Sequence, residues 1–250
     1  EPALLGDSVG RWEGDTLVVE TSGLMDDGWL DVRGSPITNA GRITERFRRV
    51  KYGYVEIEET IDGFVQAARR CHAAGFDGVE VWAAYHSMLD QFWTPWSNRR
   101  DDKWGGSLEN RTRFSRTVID RIRKVCGQDF IVGLSVSDEP DVEVALQREA
   151  LAEIVELHDR TGDIDYVTCG VGSYFDFYKI MPTVHYPEKL GSGLASVLKG
   201  VVKNALVTAE AHIRTPENAE TVLSEGHADL VSIVRGQIAD PHLANKAKEG

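Results

Sequence analysis

Cysteine is scarce in this chain, and the three present, Cys71, Cys126 and Cys169, stand far apart with no C-x-x-C pair. That spacing argues against a zinc or iron–sulfur centre built within the sequence, so no metal site is expected and the thiols should be reduced and buried. Long apolar runs are missing as well. None approaches the ~20 residues that span a bilayer, and no charged-then-apolar leader is seen, so the expectation is a cytoplasmic protein with no membrane partner. Positive charge is in deficit, with 28 Lys and Arg against 40 Asp and Glu and a net charge of −12. A balance of that sign disfavours nucleic acid as a partner. Low-complexity tracts and internal repeats are also absent.

What is present is ordinary in bulk but uneven along the chain. The 250 residues, 42% of them hydrophobic, equal one whole (β/α)8 barrel or two smaller domains. Before residue 62 the pattern is short strands and turns. Asp15–Thr21 is β-rich after the turn at Glu13-Gly14, and Ile43–Val50 and Tyr54–Ile61 are spaced to pair across Lys51-Tyr52-Gly53 as a hairpin. No helix of normal length is expected there. After residue 62 helix and strand alternate. Phe64, Ala67, Ala68, Cys71 and Ala74 follow helical spacing before an apolar strand, Val79–Trp82. Later helical stripes precede the strands Ile131–Val136, Tyr166–Cys169, Leu206–Ala209 and Leu230–Val234. Apolar, β-branched strands in that alternation predict a parallel α/β fold.

The most informative stretch runs from Ala74 to Phe114, AGFDGVEVWAAYHSMLDQFWTPWSNRRDDKWGGSLENRTRF. A strand enters a long polar and aromatic loop, and a helix follows, capped by Ser107 with Glu109 in its first turn. Parallel α/β enzymes place their chemistry on such loops, at the carboxyl ends of strands.

From about Asp62 to Gly250 the sequence resembles the old yellow enzyme superfamily of FMN-dependent NADH:flavin oxidoreductases. It is most similar to the branch containing the trimethylamine and dimethylamine dehydrogenases and the dienoyl-CoA reductases. The carriers are AGFDGVEV, DQFWTPWSNRRDDKWGGSLENRTRF, IRTPENAE and VRGQIADPHLANKA. The resemblance implies a partial (β/α)8 TIM barrel, about strands 4–8, with FMN at its carboxyl-terminal mouth. NADH is the implied reductant and a small amine or an enoyl or enone compound the implied substrate, with a homo-oligomer as one assembly. The branch also carries an iron–sulfur cysteine cluster just beyond the barrel, which is not encoded up to Gly250. GDSVGRWEGDTLVVETSG and ITERFRRVKYGYVEIEETID resemble instead a β-rich segment of uncharacterised bacterial proteins. The chain therefore reads as a fusion, natural or from sequence assembly, of a β-rich segment, residues 1–61, and part of an FMN barrel, residues 62–250. The alternative is an incomplete, non-catalytic fragment that binds no flavin. An aldolase-like barrel is a third reading, but no lysine stands at the strand ends Trp82, Ser135, Cys169, Ala211 and Arg235.

The family's paired carbonyl donors and its proton-delivering Tyr align with Trp82, Tyr85 and Ser87, all three departing from the pattern. Trp82, Tyr85, Trp93 and Trp96 could instead line a bowl for a cationic amine, or simply pack the loop. Trp82, Tyr85 and His86 are the candidate catalytic residues, with His86 open to acid, base or core roles. For the cofactor, Ser135 replaces the family's arginine near the flavin pyrimidine, and Ala211-His212 replaces its Gly-Arg. Arg235 with Gly236 stands where a phosphate-binding arginine is expected. In the loop Gly170–His185, Tyr174 and Asp176 could reach the site, but they read first as solvated polar residues of a loop. Asn98, Arg99, Arg100, Asp102 and Asn110 read as structural.

Overall fold

A computed structural model describes residues 7–14, 16–24, 28–29, 36–37, 40–48 and 57–249. The chain divides into two compact units, Glu1–Glu56 and Ile57–Gly250. In the first unit, β1 (Asp7–Glu13) turns at Gly14 and pairs antiparallel with β2 (Thr16–Ser22). Two short strands, β3 (Gly28–Trp29) and β4 (Pro36–Ile37), pair with each other, and β5 (Ile43–Arg48) adds antiparallel to the far side of β2.

The second strand of the hairpin expected between Ile43–Val50 and Tyr54–Ile61 is helical over its described residues. Residues 49–56 lie outside the described residues, and Ile57–Ile61 opens helix α1 (Ile57–Ala73). The i, i+4 spacing of Ile57, Ile61 and Val65, continued by Ala68, turns one face inward, and all four are buried. The β-branched isoleucines suggested a strand, but the helical period prevails.

The second unit is a run of strand–helix units. After α1 come β6 (Gly78–Ala83), α2 (Met88–Trp93), α3 (Leu108–Cys126), β7 (Ile131–Asp138), α4 (Arg148–Asp159) and β8 (Tyr166–Val171). Then follow α5 (Phe177–Ile180), α6 (Ser192–Lys199), β9 (Leu206–Ala209), α7 (Pro216–Ser224), β10 (Leu230–Val231), α8 (Arg235–Ala239) and α9 (Leu243–Glu249). The five strands form one parallel sheet in the order β10-β9-β8-β7-β6. Sequential parallel strands joined by helices match successive units of the (β/α)8 barrel that the resemblance implies, so the second unit is that partial barrel.

Strand alternation sorts the side chains. Val81, Val132, Leu134, Val136, Val167, Cys169, Val207 and Ala209 pack with the helices in the main core. Their neighbours Glu80, Trp82, Ser135, Ser137, Thr168, Thr208 and Glu210 share the opposite, inner face, which is polar. Thr168 donates to Glu80 across that face at 2.6 Å. Tyr166 lies over Gly133, where a Cβ would stand 2.2 Å from the ring. The thiols are free, with Cys126 and Cys169 buried and Cys71 only partly so. Among the described residues no helix is long and apolar enough to cross a membrane.

The long loop after β6 is held as its polar residues suggested. Asn98 donates to the carbonyls of Phe92 (2.7 Å) and Trp104 (2.8 Å), and Arg111 to that of Trp93 (2.6 Å). Ser107 caps α3 by accepting from the Asn110 N–H. Gly105 passes so close to Arg100 that a Cβ would meet its carbonyl oxygen at 2.3 Å.

Candidate functional site

Backbone strain marks one end of the sheet. Tyr85 and His86, beyond β6, have φ of 62° and 66°, and Ala211 and His212, beyond β9, have φ of 65° and 61°. Lys189, whose N–H donates to the His212 carbonyl, has φ of 60°. Among the described residues these five are the non-glycine residues in the left-handed region. Side chains there cost roughly 1–2 kcal/mol each, and such strain collects at functional sites. A glycine in the family pattern at position 211 has a direct physical reason: φ is positive there.

The two strained turns are tied together. Tyr85 donates its hydroxyl to Glu210 Oε1 at 2.8 Å, and its backbone N–H to Ser137 Oγ at 2.7 Å. Ser137 in turn donates to the Gly172 carbonyl at 3.0 Å, so β6, β7 and β9 and the loop after β8 are joined at their carboxyl ends. Gly170 gives the Tyr85–Glu210 pair room, since a Cβ there would lie 2.5 Å from the Tyr85 hydroxyl. Burial and the neighbouring Glu210 charge push the Tyr85 hydroxyl well above its usual range, so it remains a donor. Burial also pushes the Glu210 carboxyl up, opposed by the Tyr85 bond and helped by nearby Glu80.

A cavity of 680 Å3 opens beside this pair. Tyr85, Glu210, Ala211, His212, Arg214, Arg235 and Gly236 line it together with Ile180, Pro182, Thr183 and Val184 of the loop after β8. That volume lies within the range of small-molecule and cofactor sites. Five expected site residues, Tyr85, Ala211, His212, Arg235 and Gly236, thus meet in one place. Arg235 donates through Nη1 to the Pro182 carbonyl at 2.7 Å, and His212 Nδ1 lies 2.9 Å from the Pro187 carbonyl. The remaining Arg235 donors have no protein partner among the described residues. A Cβ at Gly236 would meet Ile233 Cγ2 at 2.8 Å and the Arg214 carbonyl at 3.2 Å.

Other expected residues lie elsewhere. Ser135 is mid-strand and buried, because β7 continues to Asp138; it does not line the cavity. Trp82 is 46% exposed on the inner face and packs against Tyr85, ring centroids 5.3 Å apart. His86 does not line the cavity; it lies between Trp96 and Phe175, its Nδ1 3.6 Å from Asp90 Oδ1. The four-aromatic bowl is not formed. Trp93 is fully buried and donates to Ser115 Oγ at 2.9 Å, while Trp96 joins the His86 group. Tyr174 is exposed and Asp176 stands beside Lys179, so neither reaches the cavity; Ile180 and Pro182–Val184 of that loop do. Glu210 was missed because the strand read from sequence ended at Ala209. Its signal was the alternation Thr208, Glu210 on the inner face.

A parallel α/β barrel segment with a cavity at its strand ends defines the class. The model of the NADH:flavin oxidoreductase / NADH oxidase family matches residues 33–250, and the chain belongs to that family. The match starts upstream of Asp62, where the motifs begin. The chain is similar to the N,N-dimethylglycine/sarcosine dehydrogenase of Chromohalobacter salexigens, at 33% identity over 248 residues, covering 97% of this chain and 36% of that protein. It is also similar to the NADH oxidase of Thermoanaerobacter brockii, at 39% identity over 200 residues, 78% of this chain and 30% of the relative. Among solved structures, a 2-naphthoyl-CoA reductase complex matches with a TM-score of 0.73 and 30% identity, covering 90% of this chain and 32% of that one. The chain spans about a third of the length of these relatives.

Proposed function

We propose that this chain is part of an FMN-dependent oxidoreductase, with its flavin-binding portion over residues 62–250 and a β-rich segment of unassigned role before it. The observation that carries the proposal is the convergence of Ala211, His212, Arg235 and Gly236 on one cavity at the sheet's carboxyl end. These residues fit the phosphate end of FMN. Arg235 has guanidinium donors left over, and Gly236 keeps the backbone close to its neighbours. Ser135 stands outside this group. When bound, FMN supplies two-electron chemistry, with NADH as a reductant. The non-catalytic alternative has less support, given the family membership and the strained, cavity-lining residues.

The chain's own groups have separable roles. Arg235 holds the phosphate. Tyr85 keeps its proton and orients Glu210, whose raised carboxyl can hold or release a proton at the cavity wall. Replacing Arg235 with alanine removes a charge-assisted contact, so FMN affinity should fall roughly 10- to 100-fold. Fluorescence-quenching titration measures this, and equal affinity in the two proteins refutes the phosphate assignment.

A cationic amine is the substrate class favoured over an enone. The inner face carries Glu80 and Glu210 beside the Trp82–Tyr85 pair, a combination of negative charge and aromatic surface that attracts a cation. The paired carbonyl donors of alkene reductases are absent. FMN-loaded protein should therefore be bleached anaerobically by a methylated amine; bleaching by NADH with enone turnover, and none by amine, reverses the choice. The same reading gives a cytoplasmic protein acting on a small molecule, without nucleic-acid or membrane partners and with self-association as its expected assembly.

A further inference from the structure

We propose that Lys179 latches the loop after β8 over the cavity, and that the cavity exchanges its occupant only when this latch opens. The latch stands on geometry alone, whereas the exchange of occupant rests on the reading of the cavity as a flavin seat. The loop, residues 172–187, leaves the end of β8 and supplies Ile180, Pro182, Thr183 and Val184 to the cavity wall. Its large apolar side chains turn outward. Tyr174, Phe175, Phe177, Tyr178, Met181 and Val184 are all exposed, and no residue of α5 is buried. With so little apolar packing to hold it, the segment belongs to the low-stability end of the molecule, and polar ties decide its position.

The most deeply buried of these ties is made by Lys179. Its Nζ donates to Glu139 Oε1 at 2.5 Å and to Asp141, and lies 3.5 Å from Asp176. Asp176 belongs to the loop itself, but Glu139 and Asp141 follow β7, so the lysine pins one strand's loop to its neighbour's. The Glu139 side chain is 1% exposed, and its Oε2 has no hydrogen-bond partner among the described residues. Its Oε1 otherwise accepts only the Asp141 N–H at 3.3 Å. Removing the ammonium would leave that carboxylate buried and uncompensated, so the closed loop depends on the pair. Burial pulls the ammonium down, but its bonds to Asp141 and Glu139 outweigh burial, and it stays charged. Lys179, Glu139 and Asp141 do not line the cavity, so they set the position of its cover and touch no ligand. Gly172, at φ of 102°, is where the loop turns back on its own start; a Cβ there would meet Lys179 Cβ at 2.8 Å and the Ile180 nitrogen at 2.9 Å. Releasing Lys179 frees the cover to swing about that glycine.

Amide hydrogen exchange of residues 173–184 tests the latch, and stopped-flow FMN fluorescence tests the gating. The proteins are wild type, Lys179→Met, Lys179→Arg and Glu139→Gln. Exchange in the segment should rise roughly tenfold in Lys179→Met and in Glu139→Gln, while Lys179→Arg, which keeps the charge, should stay near the wild type. Exchange in β7 and β8 should not move in any variant, which reads the fold as intact. FMN association and dissociation should both accelerate roughly tenfold in Lys179→Met, leaving the equilibrium affinity within about threefold, because a cover gates both directions. Equal segment exchange in wild type and Lys179→Met overturns the latch, as does a rise that extends to β7 and β8. Faster segment exchange with unchanged FMN rates overturns the gating. No FMN binding by any of the four proteins overturns the flavin reading and the gating with it, while the exchange still decides the latch.

Discussion

Replacing Gly191 with alanine should destabilise the second unit by about 3 kcal/mol or more, the upper end of overpacking costs. Gly191 precedes α6 with an ordinary φ of −73°, so conformational freedom is not the issue. Space is: a Cβ would stand 2.1 Å from the Glu210 carbonyl oxygen and 2.6 Å from that of Cys169. Both are backbone atoms at adjacent strand ends, and neither can yield without moving the strand. The Gly191 N–H also donates to the Glu210 carbonyl, so the collision strikes the bond that seats the loop on β9. Gly193, two residues on, supplies the control. There a Cβ meets only the Arg148 guanidinium at 3.4 Å, and alanine within α6 should stabilise by about 0.5–1 kcal/mol. Urea unfolding of the two variants should move the second unit's transition in opposite directions. Equal small shifts would show that the strand ends are free to spread.

Acid should weaken the second unit through His158. This side chain is fully buried, and burial pushes its pKa down to about 4. Its Nδ1 faces the Ile154 carbonyl and must carry a proton, so neutral Nε2 accepts from Ser115 Oγ at 2.8 Å. Ser115 in turn accepts from Trp93 Nε1. The chain Trp93–Ser115–His158 thus joins α2, α3 and α4, and it is burial of the ring that disfavours its charged state. In the unfolded chain a histidine titrates near 6.5. Between the two values the unfolded state binds a proton that the folded state refuses, so acid favours unfolding. The contribution is complete above about pH 6.5 and is lost as pH falls toward 4; from pH 7 to 5 the loss is about 2 kcal/mol. Asp138 and Glu210, whose carboxyls burial pushes up, act with the opposite sign. The measurement is therefore a difference. His158→Gln should lose most of the pH 7 to 5 slope that the wild type shows, and an unchanged slope would assign acid sensitivity elsewhere.

Much of the second unit was legible in the sequence, because apolar period separates helix from strand wherever one face is buried. The long loop was legible for another reason: its Asn, Arg and Gly residues have no role in a core and read as a hydrogen-bonded scaffold. The start of α1 was misread because Ile57 and Ile61 suit a strand by type and a helix by spacing, and only burial decides between them. The candidate site was half visible. Arg235, Gly236, Ala211 and His212 were marked by position in a family pattern, whereas Glu210 lay one residue past the end of the strand as read. For Trp93 two readings were open, and the structure gives packing. Its aromatic ring suggested a ligand surface, but its indole N–H is used inside the core. Left-handed turns at Tyr85–His86 and Ala211–His212 carry no glycine or asparagine, so nothing in their composition announces them.

Those turns have a consequence for how the chain changes over generations. Random substitution filtered only for a stable fold would run toward glycine at positions 85, 86, 211 and 212, since each exchange relieves a backbone held at positive φ. Two of these exchanges also delete what lines the cavity, the Tyr85 hydroxyl and the His212 imidazole. Selection for durability and selection for binding therefore pull these positions in opposite directions. Glycine at 211 already belongs to the family pattern, so a lineage that had lost the need for the site would be recognisable at positions 85 and 212 instead, long before its barrel motifs decayed.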